Sequence, residues 1–153
     1  MFEIVTHIEI GGSPAQVWRA LTDFPSYRQW NTSIPSIEGC AAKGQRLKVL
    51  FRPDGAIGMK FWVDVLAVVL EKELRWAGHL LFPGLFAGEH YFLITPLAPD
   101  RVKLVHGERF AGLLSPIVRR LVAERYEAII VAMNQGLKAY VEQTSKADVA
   151  VKL

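Results

Sequence analysis

Three ionisable side chains, His90, His106 and Glu108, fall on a strand face that is otherwise apolar. Phe92 and Ile94 set the inward phase of one segment, and Leu104 and Phe110 set that of the next, so strand alternation turns all three inward. The two segments read as a hairpin around Pro96, Pro99 and Asp100. His90 then stands opposite either His106 or Glu108, a two-residue choice of register that alternation leaves open. A carboxylate beside an imidazole raises the histidine's pKa and burial lowers it, so such a cluster has the ingredients of a general acid/base near neutral pH. It equally suits the orientation of a ligand hydroxyl or carbonyl, or a hydrogen-bonded structural network. Two histidines and one glutamate without spacing on a rigid motif do not indicate a metal, and neither metal nor cofactor is expected.

Elsewhere there is no Gly-x-Ser-x-Gly, no Gly-x-Gly-x-x-Gly and no phosphate loop. The single cysteine, Cys40, cannot form an internal disulfide, which fits a reducing cytoplasm. Met1 to Ile10 carries Glu3 and Glu9 in its apolar stretch, unlike a signal peptide, and no run reaches the roughly 18 uncharged apolar residues of a membrane span. A soluble, cytoplasmic protein without membrane insertion is expected. The net charge of +3 comes from basic residues dispersed among acids, so nucleic acid is not an expected partner. Arg119, Arg120 and Arg125 read as a solvated helix face, with an anionic partner as the alternative.

The elements that must position the cluster follow from periodicity. The length of 153 residues suits one domain, and a content of 51% hydrophobic and 22% charged residues suits a folded globule. Phe2, Ile4, Thr6, Ile8 and Ile10 share one face of a first strand. Ser13-Pro14-Ala15-Gln16 supplies an N-cap serine, a proline at the first helical position and a capping-box glutamine, predicting a helix to about Thr22. Phe24-Pro25 interrupts it, and Tyr27 to Asn31 forms one further turn. From residue 35 the period is two. Leu47, Val49 and Phe51 face inward, as do Phe61, Val63, Val65, Ala67 and Val69, then Leu74, Trp76, Gly78 and Leu80. Pairing Val69 with Leu74 would set Ala67 against Trp76 and Val65 against Gly78. Ser115-Pro116 opens a last helix of about 28 residues, whose apolar stripe runs from Val118 through Leu121, Val122, Tyr126, Ile130 and Met133 to Tyr140. A helix of that length, roughly 40 Å, must lie across the sheet. Residues 144–153 lack cap and period and read as a flexible tail beyond a single domain over 1–143.

This order resembles the helix-grip fold, an α+β architecture in which a curved antiparallel sheet of about six to seven strands wraps a long C-terminal helix, with two short helices after strand one. The run from Ser13 to Phe24, with Tyr27 and Trp30-Asn31, is similar to the opening of the START-like (SRPBCC) superfamily, in its polyketide cyclase/dehydrase-type branch. Val105 to Leu114 and Met133 to Lys138 are similar to its last strand and C-terminal helix. Members bind lipids, sterols, plant hormones and polyketides, some catalyse ring closure or dehydration, and one branch stimulates a chaperone's ATPase. The resemblance implies an internal cavity for a hydrophobic small molecule, whether lipid, polyketide or aromatic compound. Its lining is then expected from Val49, Phe51, Phe61, Val63, Val65, Trp76, Leu80, His90, Phe92, Leu104, His106, Glu108, Phe110, Tyr126, Ile130 and Met133. The alternatives are a cyclase/dehydratase-like enzyme using His90, His106 and Glu108 as catalytic residues, and a protein-interaction module docking through Phe82, Leu85 and Phe86. Trp62 and Leu66, on the outer sheet face, offer a surface for a homodimer.

Overall fold

In the computed structural model, residues 1–80 and 82–150 are described, apart from the side chains of Asp54, Leu80, Val122 and 148–150. Strand β1 (Phe2–Gly11) is followed by helices α1 (Pro14–Thr22) and α2 (Tyr27–Trp30), joined by a single 3-10 turn. Strands β2 (Ser36–Glu38), β3 (Arg46–Phe51), β4 (Met59–Val69), β5 (Glu73–Leu80), β6 (Phe86–Ala98) and β7 (Arg101–Ala111) then lead into helix α3 (Ser115–Ala150). The strands form one antiparallel sheet in the order β1-β7-β6-β5-β4-β3-β2, so the first strand pairs with the last. The expected α+β helix-grip architecture is the one observed.

The local signals act where the sequence places them. Ser13 caps α1, accepting from the Gln16 amide, while the Gln16 side chain accepts from the Ser13 amide and Pro14 occupies the first turn. Alternation buries Ile4, Thr6 and Ile10 of β1 and exposes Glu3, Val5 and Glu9. On the outer face, Glu73, Arg75, Glu89, Arg109 and Glu3 form a cross-strand ladder of ion pairs that ends on the Tyr91 hydroxyl.

Three expectations change. A bulge between Val65 and Ala67 sets Val65 opposite Trp76 and Val68 opposite Leu74, instead of the predicted Ala67–Trp76 and Val69–Leu74 pairs. The extra residue reverses the phase beyond it, leaving Leu66 and Val69 exposed and Val68 packed on the core. The apolar stripe of α3 is buried from Ile129 to Val141, but Leu121, nearer the N-terminus, is 74% exposed. The helix also continues through 144–150, where the sequence reads as a loose tail. No glycine or proline interrupts that segment, and the Thr144 and Ser145 hydroxyls bond back to the Tyr140 and Val141 carbonyls. Trp62 and Leu66 stand exposed on the outer face.

The core lies between the sheet and the C-terminal half of α3, closed at one end by Val17, Leu21, Tyr27 and Trp30 of the short helices. Gly136 brings α3 against α2 so closely that a β-carbon there would collide with the backbone carbonyl of Trp30. Glycine to alanine inside an exposed helix adds up to about 1 kcal/mol of stability. For Gly136→Ala the opposite sign is expected, a loss of about 1–3 kcal/mol in urea unfolding, because backbone must move to admit the methyl group.

Candidate functional site

The pairing of β6 with β7 resolves the register left open by alternation: His90 faces Glu108, and Phe92 faces His106. His90 Nδ1 lies 2.6 Å from Glu108 Oε2, and His90 Nε2 lies 2.8 Å from His106 Nε2. His106 Nδ1 is 2.7 Å from Asn134 Oδ1 on α3, and Asn134 Nδ2 donates to Thr6 Oγ1 on β1 at 2.8 Å. The Thr6 hydroxyl donates to the His106 carbonyl oxygen, closing the inner end. At the outer end the Tyr126 hydroxyl, from α3, donates to Glu108 Oε2 at 2.8 Å. Trp76 of β5 stacks parallel on His90 with centroids 5.0 Å apart, and Phe92 packs against both imidazoles.

Each element supplies its part for a stated reason. Alternation on β6 and β7 turns His90, His106 and Glu108 to the concave face. Asn134 and Tyr126 stand eight residues apart on α3, close to two turns, and so share the face that meets them. Burial follows the same order, with His106 fully enclosed, His90 at 3% and Glu108 at 8% exposure. Burial, then the neighbouring His90, hold the His106 pKa well below its ordinary value, against a smaller upward pull from the Asn134 bond. Burial, followed by the charge and hydrogen bond of Glu108, pushes the Tyr126 hydroxyl well above the usual phenol range.

Beside Glu108 a cavity of about 180 Å³ opens between β3–β7 and α3. Of the expected lining, Val49, Phe51, Phe61, Val63, Trp76, His90, Glu108, Phe110 and Tyr126 face it. Val65, Phe92, Leu104, His106, Ile130 and Met133 do not, since α3 closes on the sheet at that end and they pack as solid core. The Leu80 side chain is outside the described residues. Ile34, Met59, Gly78, His79, Phe86 and Gly88 complete the wall, none of them in the expected lining although Gly78 stands on the face read as inward. Gly88 lies opposite Gly78 in the ladder, and a β-carbon on Gly88 would approach Glu108 Oε1 to 2.8 Å. This glycine pair is the signal that was available, because two facing residues without side chains leave a gap in a strand face. Phe86, one of the three residues of the docking alternative, begins β6 and stacks on Phe110.

Among the described residues no group of three or more His, Cys, Asp and Glu is placed to hold a metal ion. The imidazole nitrogens of both histidines already meet Glu108, Asn134 and one another, so their lone pairs converge on no common point. Among the described residues, no helix is long and apolar enough to cross a membrane.

The profile of the family described as polyketide cyclase / dehydrase and lipid transport matches residues 1–142. No curated protein matches the chain. Among solved structures, a protein from Mesorhizobium loti is 20% identical with a TM-score of 0.71, covering 94% of this chain and 98% of its own. A START superfamily protein from Mycobacterium smegmatis is 22% identical with a TM-score of 0.70, the match covering 93% of this chain and 98% of that one. The di-domain ARO/CYC protein BexL of the BE-7585A biosynthetic pathway is 11% identical with a TM-score of 0.72, over 93% of this chain and 47% of that one. At these identities the likeness is one of fold.

The depressed pKa of His106 carries a sign. Above the unfolded value of about 6.5 the ring is neutral in both states and the fold keeps its full stability. As pH falls below that value, the unfolded chain takes up a proton that the folded chain refuses, and stability drops toward the folded pKa. Between pH 6.5 and 5 the wild type should lose up to about 1.4 kcal/mol per pH unit more than His106→Gln in urea unfolding. Parallel curves for the two proteins would contradict the assignment.

Proposed function

The chain belongs to the polyketide cyclase / dehydrase and lipid transport family, and from that premise we propose that it binds a small, largely apolar molecule in the cavity between sheet and α3. The observation that carries this reading is the cavity itself, mainly apolar-walled, with one polar corner at Glu108, His90 and Tyr126 and His79 at its mouth. Its size sets the ligand's scale. An engineered apolar cavity of about 150 Å³ holds a benzene. A cavity of about 180 Å³ therefore encloses a compact ring system, whereas a long lipid or polyketide would lodge one end and pass out beside Met59 and His79, both exposed at the mouth. Phe51, Phe61, Phe110 and Trp76 favour a flat aromatic ligand, which stacks on ring faces or meets ring edges. A cytoplasmic setting belongs to the same reading, supported by the lone, exposed Cys40, which reducing surroundings keep as a thiol.

An enzyme of cyclase or dehydratase type is favoured by one observation, the 2.6 Å contact between His90 and Glu108 at the cavity wall. That contact is an acid/base pair set beside whatever the cavity holds. In such an enzyme Glu108 is the residue that touches substrate, and His106 acts only through His90. Docking of a protein through Phe82, Leu85 and Phe86 loses support, because Phe86 is committed to the cavity wall against Phe110.

Val63→Phe places a ring in the cavity from a buried position. It should weaken naphthalene binding about tenfold or more, measured by fluorescence titration, while urea unfolding stays cooperative. Equal affinity in a variant that still unfolds cooperatively would remove the cavity as the binding site.

A further inference from the structure

The buried hydrogen bonds behind the cavity have a direction, and it can be read from their closed end. The Thr6 hydroxyl has one hydrogen and donates it to the His106 carbonyl oxygen at 3.1 Å. Toward Asn134 it can only accept, so the amide presents Nδ2 to Thr6 and Oδ1 to His106 Nδ1. An amide oxygen only accepts, and therefore His106 Nδ1 carries a hydrogen. His106 is enclosed among apolar groups with no carboxylate in contact, so the ring is neutral and Nε2 offers a lone pair. His90 Nε2 must then donate across the 2.8 Å contact. One proton is left for the 2.6 Å contact between His90 Nδ1 and Glu108 Oε2. Whichever atom holds it, the pair is electrically neutral as a whole.

Glu108 Oε2 is thereby occupied twice, by His90 and by the Tyr126 hydroxyl. Oε1 is the oxygen beside Gly88, where a side chain would fill the space in front of it at 2.8 Å. An acceptor thus faces a gap in a mainly apolar cavity, and among the described residues its wall carries no uncompensated charge. The other titratable group on the wall, His79, is exposed at the mouth.

We propose that the cavity selects uncharged ligands bearing a hydroxyl group, and that the hydroxyl donates to Glu108 Oε1 in the space left by Gly88. This rests on the binding reading above and gives it a ligand class: neutral phenols and compact apolar alcohols. A ligand carboxylate would bring a negative charge against an acceptor oxygen, with His90 already neutralised by Glu108. A plain hydrocarbon would fill the walls and leave Oε1 without a donor.

The test is calorimetric or fluorescence titration of the full chain at pH 7.5 with three probes of similar ring size: naphthalene, 2-naphthol and 2-naphthoate. The expected order has 2-naphthol about tenfold or more tighter than naphthalene, and 2-naphthoate weakest. Glu108→Leu should abolish the advantage of naphthol over naphthalene. Gly88→Ala, which keeps the carboxylate but fills the space before it, should do the same if Glu108→Leu fails to fold. Naphthol binding no tighter than naphthalene, or naphthoate binding tightest, overturns hydroxyl selection while leaving the cavity as a binding site. Failure of all three probes to bind the wild type overturns the binding reading, and the ligand class with it.

Discussion

The relay from Thr6 through Asn134, His106 and His90 to Glu108 and Tyr126 ties β1, β6, β7 and α3 together through the interior. Two imidazoles, a carboxylate and an amide enclosed by apolar side chains would each cost several kcal/mol if left unpaired. They are tolerated because each meets a partner at hydrogen-bond distance. The geometry this demands is narrow, and it fixes how far along the sheet α3 sits, since Asn134 must reach both β1 and β7. Helix and sheet are therefore joined by directional bonds as well as by apolar packing.

The cavity begins where that tight joining ends. Toward the C-terminal half of α3, Gly136 lets the helix backbone press on α2, and Ile130, Met133, Leu137 and Val141 fill the interior completely. Toward the N-terminal half α3 stands away from the sheet. Glycines at 78 and 88 remove two side chains from the facing strands, and the space remains open with Glu108 on its border. The polar corner and the void thus share a boundary. The outer charge ladder of Glu3, Arg109, Glu89 and Arg75 pins the same strands from the opposite side of the sheet.

Much of this was legible in the residues because it follows from alternation and capping. Period two placed His90, His106 and Glu108 together on the inner face, and Ser13 to Gln16 announced α1. What was not legible depends on non-local geometry. The choice between His106 and Glu108 as partner of His90 is a matter of register, and the bulge at Leu66 shifts the neighbouring hairpin without an obvious signal. Val65, Phe92 and Leu104 share a face with true cavity residues, as Met133 does with Tyr126, and only the local separation of sheet and α3 divides core from wall. Thr6 and Asn134 passed unnoticed as functional candidates, being single polar residues on apolar faces whose meaning appears only when β1 and α3 are brought to His106.

The direction of the relay is the claim on which the ligand class depends, and the nitrogen-15 spectrum of the histidine rings reads it directly. At pH 7, with His90 and His106 assigned by single substitutions, His106 should carry its hydrogen on Nδ1 with a bare Nε2, and His90 should carry one on Nε2. A His106 protonated on Nε2 would reverse the relay and contradict the neutral, acceptor-bearing corner at Glu108.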